Sequence, residues 1–281
     1  MNASVTQYVR PVSLSEALDA LAERPLVVLS GGTDFYPARV GRLVEEPVLD
    51  ISGIQELRGI HEEAERIVIG ATTTWSEVLQ ASLPAYFDCL KLAAREVGGI
   101  QIQNAGTVAG NLCNASPAAD GVPPLLALGA EVELASSTGR RRLPLADFIT
   151  GNRATRRDAG ELLVAVHVPK RSTKARSSFL KLGARRYLVI SIAMVAVVLD
   201  VDAGERITYA GVAVGACSPV AKRIALLEAK VFGRRLDSSL AALAAEEDLE
   251  VLSPISDVRA ADWYRTDAAL TLVRRAFSAV A

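Results

Sequence analysis

The chain has 281 residues, half of them hydrophobic, so it is long enough for two domains with buried cores. Its 31 lysines and arginines nearly balance its 32 aspartates and glutamates, which leaves a net charge of −1 and no basic field for nucleic acid or an anionic membrane. No apolar run approaches the roughly 20 residues of a membrane span, and residues 1–7 lack the charged and then apolar pattern of a signal peptide.

The first forty residues predict the order helix, strand, glycine turn, helix. A capping box at residues 13–16 precedes apolar residues at positions i, i+3, i+4 and i+7, so we expect a helix that ends before Pro25. Residues 26–29 form a short apolar run that indicates a buried strand, and this run leads directly into a Gly-Gly turn over residues 30–34. Pro37 suits the first turn of the next helix, where its missing N–H group costs nothing.

Strands and helices continue to alternate up to a polar, basic stretch at residues 169–175, which we interpret as a domain boundary. Residues 98–111 differ from their surroundings because they are poor in charge and rich in glycine. The predicted strands span residues 26–29, 47–51, 67–70, 131–135, 162–168, 189–199 and 206–216, and the predicted helices after the first include residues 74–79, 90–97, 220–231 and 270–280.

Cysteine and histidine are too few and too scattered to build a metal site or a catalytic triad. Cys89, Cys113 and Cys217 offer neither Cys-x-x-Cys spacing nor an even set for disulfides, which favours a reducing cytoplasm. His61 and His167 are the only histidines, and neither has a metal-binding neighbour at helical spacing. We therefore predict no metal ligands and no catalytic residues in this chain. The arginine clusters at residues 140–142, 156–157, 185–186 and 234–235 are typical of solvated surface.

The Gly-Gly turn combines features that suit an anion. Gly31 and Gly32 let the backbone approach a ligand without interference from Cβ atoms, and the N–H groups that open the next helix point back toward the turn. Thr33 adds a hydroxyl group. The sequence matches neither a Walker motif nor the Gly-x-Gly-x-x-Gly spacing of dinucleotide-binding folds. Taken alone, these residues also fit a tight turn between a strand and a helix.

A second glycine-containing segment favours ligand binding. Residues 105–111, Ala-Gly-Thr-Val-Ala-Gly-Asn, continue into Leu-Cys-Asn-Ala-Ser-Pro-Ala-Ala-Asp at residues 112–120. Together with the first loop, this segment resembles the FAD-binding subunit of the molybdenum hydroxylases, the family of xanthine dehydrogenase and aerobic carbon monoxide dehydrogenase. Members of that family carry an early Gly-Gly loop and a later Thr-x-Gly-Gly-Asn loop that runs into Asn-Ala-Ser-Pro-x-x-Asp. The resemblance covers the whole chain.

The resemblance implies an α+β fold. A two-subdomain FAD-binding domain of the PCMH (vanillyl-alcohol-oxidase-like) type is expected over residues 1–172, with subdomains at about 1–55 and 56–172. A smaller C-terminal α+β domain is expected over residues 173–281.

The resemblance also implies non-covalently bound FAD and assigns its contacts. Asp120 matches a carboxylate that reaches the adenosine end, Val97 matches a residue packed on the isoalloxazine, and Tyr187 lies where several bacterial members place a residue over the flavin face. Ala109 stands where glycine is commoner, and we expect its methyl group to shift the second loop slightly without abolishing binding. The residues matched to FAD contacts are Leu29, Ser30, Gly31, Gly32, Thr33, Asp34, Phe35, Val97, Thr107, Gly110, Asn111, Asp120, Leu163, Lys181 and Tyr187.

The function implied by the resemblance is electron transfer within a larger oxidoreductase. A large molybdopterin subunit hydroxylates the substrate, two [2Fe–2S] clusters on a small subunit pass electrons to FAD, and FAD delivers them to NAD or another acceptor. The expected assembly is a dimer of heterotrimers in the cytoplasm. A self-contained flavin oxidoreductase and a nucleotide-binding module without redox activity are the alternatives that the residues leave open.

Overall fold

The computed structural model describes residues 7–281, so residues 1–6, which carry most of the stretch examined for a signal peptide, lie outside the described part. The strands are β1 (Tyr8–Val9), β2 (Val27–Leu29), β3 (Val48–Asp50), β4 (Ile60–Glu62), β5 (Arg66–Gly70), β6 (Glu131–Ser136), β7 (Gly139–Pro144), β8 (Ile149–Gly151), β9 (Ala154–Thr155), β10 (Leu162–Pro169), β11 (Arg176–Leu182), β12 (Ala193–Val201), β13 (Ile207–Gly215) and β14 (Lys222–Arg223). The α-helices are α1 (Leu14–Glu23), α2 (Trp75–Gln80), α3 (Asp88–Glu96), α4 (Ile100–Ala105), α5 (Val108–Asn114), α6 (Val122–Ala127), α7 (Leu145–Phe148), α8 (Ala225–Val231) and α9 (Asp262–Val280).

The first part of the chain contains a small parallel sheet with the strand order β1-β3-β2. Strand β2 leads directly into the first glycine turn. Helix α1 precedes β2, and the Ser13 hydroxyl caps it by accepting the Glu16 N–H group at 3.3 Å. The Glu16 carboxylate accepts the N–H group of Val12, not that of Ser13 as a full capping box requires. The apolar face of α1 that the spacing predicts is buried: Leu14, Ala17, Leu18 and Leu21.

The middle of the chain forms an antiparallel sheet with the order β4-β5-β10-β6-β7. Helix α2 begins with the predicted capping box, because Thr74 and Glu77 each accept the other's backbone N–H group. The extended residues Gly106 and Thr107 separate α4 from α5 and are tied to the start of α2, since the Trp75 N–H group donates to the Gly106 carbonyl at 3.1 Å. The beginning of α5 is thereby fixed against α2.

The C-terminal part is an antiparallel sheet with the order β11-β12-β13-β14, and α9 packs against β11 and β12. All residues of β12 are buried, and its two faces belong to different hydrophobic cores. Met194, Ala196 and Val198 pack into the core of the first part of the chain, whereas Val195 and Val197 belong to the second core and pack beneath α9. This strand therefore joins the two parts of the molecule.

Several predicted elements differ in extent from the structure. The predicted strand 189–199 begins only at Ala193, because the chain before it forms an irregular loop in which Leu188 has a φ of 51°. The predicted helix 220–231 begins at Ala225, because Lys222 and Arg223 pair with β13. Pro37 opens a single 3₁₀ turn, Pro37–Arg39, in place of the helix predicted to begin there. Within residues 7–281, no helix combines the length and the apolar character needed to cross a bilayer.

Candidate functional site

The first glycine turn follows β2 and packs directly on the second glycine segment. A Cβ atom at Gly31 would overlap the carbonyl oxygen of Ala105, so only glycine permits this approach of the two backbones. Gly32 has a φ of 70°, in the left-handed region that favours glycine. The two glycines are therefore required for different reasons, one by contact between the loops and the other by backbone conformation.

Thr107 organises the second segment. Its hydroxyl oxygen caps α5 by accepting the Gly110 N–H group at 3.1 Å, and it also accepts a hydrogen bond from the Ser30 hydroxyl at 3.4 Å. A Cβ atom at Gly110 would lie 2.8 Å from this same oxygen. Ala109 is buried in regular helix, so the methyl group in place of the commoner glycine meets no conformational barrier.

The two loops form the walls of a cleft of about 550 Å³, within the usual range for a site that binds a small organic ligand. β2 and Trp75 contribute further wall, and Val97 and Leu163 add apolar surface. Twelve of the fifteen residues predicted from the sequence line this cleft: Leu29, Ser30, Gly31, Gly32, Thr33, Asp34, Phe35, Val97, Thr107, Gly110, Asn111 and Leu163.

Asp120, Lys181 and Tyr187 do not line the cleft. Asp120 and Lys181 form a buried ion pair at 2.7 Å, and the Ser191 hydroxyl donates to the other carboxylate oxygen of Asp120 at 2.7 Å. Burial raises the pKa of Asp120, while the Lys181 ammonium opposes that shift. Tyr187 is 61% exposed, and the Arg186 guanidinium lies 5.2 Å from the centre of its ring. Contact of these residues with the cofactor remains a prediction.

Sequence reasoning predicted Asp34 but missed the arginines of the cleft. In the described part of the chain, the charged side chains that line it are Arg39, Arg153, Arg157 and Asp34. Arg157 corrects the interpretation of residues 156–157 as solvated surface, because its guanidinium donates to the Glu161 carbonyl at 2.7 Å and faces the cleft. Arg39 lies just after the first loop, where its guanidinium donates to the Phe35 carbonyl at 3.0 Å. No local pattern separates Arg153 and Arg157 from surface arginines, since long-range packing brings these two to the site.

Positive charge exceeds negative charge in this lining, which suits an anionic ligand. Asp34 is the carboxylate in it, and a hydrogen bond from Arg153 holds the pKa of Asp34 below its usual value. The same bond raises the pKa of Arg153. Both groups are therefore charged at neutral pH.

Polar groups in the cleft remain available to a ligand that carries phosphates and hydroxyls. The Asn111 side-chain oxygen is buried and has no hydrogen-bond partner within residues 7–281. The backbone N–H groups of Gly31, Gly32, Thr33 and Asp34 donate to no acceptor in the described part of the chain. A buried polar atom such as the Asn111 oxygen is normally paired, and successive free backbone N–H groups in a turn suit an anion, so this arrangement fits the diphosphate and ribityl chain of FAD.

Comparison with known families identifies the chain. Residues 4–171 match the family model described as FAD binding domain in molybdopterin dehydrogenase, and residues 178–280 match the CO dehydrogenase flavoprotein C-terminal domain. The chain is an FAD-binding subunit of the molybdenum hydroxylase family. Both the family and the FAD cofactor predicted from the two loops are confirmed.

Full-length relatives agree with this assignment. The glyceraldehyde dehydrogenase medium chain of Sulfolobus acidocaldarius is 30% identical over 280 residues, 98% of each chain. The xanthine dehydrogenase FAD-binding subunit of Escherichia coli O157:H7 is 29% identical, over 96% of this chain and 94% of that one. Among solved structures, a chain of the carbon monoxide dehydrogenase of Hydrogenophaga pseudoflava that lacks the Mo-pyranopterin moiety superposes with a TM-score of 0.87 at 28% identity, covering 98% of this chain and 96% of that one.

These comparisons confirm the predicted fold class, an FAD-binding domain followed by a C-terminal α+β domain. They also confirm that the chain is a flavoprotein subunit of a multi-subunit oxidoreductase.

Proposed function

We propose that this chain relays electrons inside a molybdenum-containing hydroxylase. When bound, FAD supplies redox chemistry that accepts single electrons and releases a pair, and the protein supplies its placement and electrostatic surroundings. The observation that carries the proposal is the direct contact of two glycine loops that form the walls of one cleft.

The residues of the cleft divide the binding of FAD among them. The free backbone N–H groups of the first loop suit the diphosphate oxygens, and the unpartnered Asn111 oxygen suits a hydroxyl donor of the ribityl chain. Val97 and Leu163 provide apolar surface for the ring system. Asp120, Lys181 and Tyr187 complete the predicted set at positions beyond the cleft walls.

The proposed partners are a large molybdopterin-binding subunit and a small subunit with two [2Fe–2S] clusters, arranged as a dimer of heterotrimers. Relatives named medium chains support this assembly, because the term implies one larger and one smaller companion. The final acceptor is NAD or another carrier. We place the complex in the cytoplasm, since Cys89, Cys113 and Cys217 are free thiols and so suit a reducing compartment.

FAD binding is tested on the purified full chain. We expect one FAD per chain, with an absorbance band at about 450 nm that survives gel filtration. A chain that binds no FAD under any folding condition would contradict the proposal.

The relay role is tested by comparing the chain alone with the assembled complex. The isolated FAD-loaded chain should oxidise no small organic substrate, whereas purification of the tagged chain from its native cell should recover one large and one small iron–sulfur partner. Turnover of a substrate by the chain alone would favour the self-contained oxidoreductase instead.

A further inference from the structure

A short hairpin brings Arg153 to the mouth of the cleft. Strands β8 and β9 pair antiparallel, and Arg153 lies in the turn between them. Its backbone N–H group donates to the carbonyl of Ala115, the residue that ends α5, at 2.9 Å. The tip of the hairpin is thus fixed to the far end of the helix that begins with the second glycine loop.

The backbone of Arg153 adopts a conformation that arginine does not favour. Its φ is 55°, in the left-handed region where glycine and asparagine are the common residues. A bulky residue in this region costs stability, and such positions concentrate at functional sites. An arginine at this position therefore indicates that its side chain has a function.

The guanidinium of Arg153 connects the two loops of the cleft. Its Nη1 atom lies 2.8 Å from Asp34 Oδ2, and its Nη2 atom lies 3.4 Å from Asp34 Oδ1. Nη1 also donates to the side-chain oxygen of Asn114, in the last turn of α5. Asp34 belongs to the first loop, so one planar group holds the first loop to the helix of the second, and all three side chains line the cleft.

We infer that Arg153 is a positioning residue that clasps the two loops together and so shapes the FAD site before the cofactor enters. This inference rests on the proposed function of the cleft. A preformed site binds its ligand more tightly, because less order has to be created on binding. Losing the clasp therefore weakens the binding of FAD without harming the fold.

The test compares Arg153→Gly with Glu205→Gly. Glu205 is the matched control, because its φ is also positive, at 60°, its side chain also forms an exposed ion pair, with Arg235 at 3.0 Å, and it does not line the cleft. We expect both variants to unfold at the wild-type temperature or above, since glycine relieves the backbone. Arg153→Gly alone should bind FAD about five- to tenfold more weakly, measured by flavin fluorescence titration of the full chain.

Asp34→Ala and the double variant Arg153→Gly/Asp34→Ala separate a clasp from direct contact with the cofactor. A clasp predicts that Asp34→Ala weakens FAD binding about as much as Arg153→Gly does, and that the double variant is no weaker than either. Unchanged or tighter binding by Asp34→Ala, with weak binding by Arg153→Gly, would replace the clasp with a direct ionic contact. If Arg153→Gly binds FAD with wild-type affinity, the inference about Arg153 is wrong but the proposed function stands. If the wild-type chain binds no FAD, the proposed function itself is wrong.

Discussion

At the scale of single residues, the two glycines of the first loop show how one residue type serves different needs. Gly32 supplies a left-handed backbone, whereas Gly31 supplies space for the carbonyl of Ala105. A backbone atom cannot move aside as a flexible side chain can, so the contact at Gly31 is the less tolerant of the two to an added Cβ atom.

Gly31→Ala should therefore separate the loops and lower FAD affinity by roughly tenfold or more, while the chain still folds. The flavin-to-protein absorbance ratio after gel filtration measures the loss. Gly160→Ala is the control, because a Cβ atom there meets nothing within 4 Å. Normal flavin content in Gly31→Ala would mean that the loops can separate without affecting the site.

Asn111 carries a polar atom whose partner we expect to be the cofactor. Its side-chain oxygen is buried without a hydrogen-bond partner in the described chain, so Asn111→Ala removes an unpaired group from the apo protein and one hydrogen bond from the complex. FAD affinity should fall about two- to tenfold, while the apo protein loses no stability. Titration calorimetry and thermal unfolding of the apo chain measure the two effects. A less stable apo protein with unchanged affinity would point to a structural role.

The sequence allowed prediction of the glycines of this site but not of its arginines. Gly31 and Gly32 are required by the backbone geometry of one short turn, so they appear in the sequence as a recognisable Gly-Gly motif. Asp34 and Arg153 are 119 positions apart, and only the folded sheet brings the hairpin to the loop. Arg157 belongs to the doublet at residues 156–157, which has the pattern of solvent-exposed arginines.

At the scale of secondary structure elements, caps were easier to predict than ends. The capping box at Thr74 and Glu77 is present in full, and Ser13 caps α1 as predicted although Glu16 accepts from Val12 instead. Caps are predictable because the capping side chain and the N–H group that it accepts lie within one turn. The first residue of β12 and the beginning of α8 were placed too early, because apolar residues continue past both boundaries while pairing with distant strands sets the real limits. No helix was predicted at residues 98–111, because α4 and α5 are too short to produce a clear period.

Thr107 is both the cap of α5 and its link to the first loop, so its hydroxyl should matter to stability before any cofactor binds. Thr107→Val keeps the shape of the side chain but removes the oxygen that accepts from Gly110 and Ser30. We expect the free energy of unfolding of the apo chain to fall by about 1 kcal/mol. Urea titration measures it, with Thr107→Ser as the control that retains the oxygen. Equal stability of the Val and wild-type chains would show that the cap is not needed.

At the scale of the whole molecule, β12 and a stacked side-chain pair join the two parts. The guanidinium of Arg171 lies 3.3 Å from the centre of the Tyr209 ring, and the Tyr209 hydroxyl donates to the Ala127 carbonyl at 2.7 Å. One face of β12 contributes Met194, Ala196 and Val198 to the core of the first part, so that core is not complete without the C-terminal sheet. The second core is built from C-terminal residues. Helix α3, which leads into the cleft residue Val97, packs on β11, so its placement depends on the C-terminal sheet.

A buried cluster in the central sheet should contribute to the pH dependence of global stability. His167 Nε2 lies 2.7 Å from Glu133, which also pairs with Arg140 and Arg142 at 2.9 Å. Burial lowers the pKa of His167 below 6.5, although Glu133 opposes the shift. Burial also disfavours the charged form of Glu133, but hydrogen bonds from both arginines and His167 outweigh it and hold the pKa of Glu133 below 4.5.

The lowered pKa values of His167 and Glu133 both make the folded chain less stable as the pH falls. The unfolded chain binds a proton at His167 more readily than the folded chain does, so stability should be greatest above pH 6.5 and fall as the pH drops through the lowered pKa of His167. A second loss follows below pH 4.5, when Glu133 is protonated. His167→Gln, which retains a donor for Glu133 but does not titrate, should remove the first loss and keep the second. Unfolding midpoints measured from about pH 8 to about pH 3 test this, and parallel curves for the two proteins would exclude His167 as the source of the first loss.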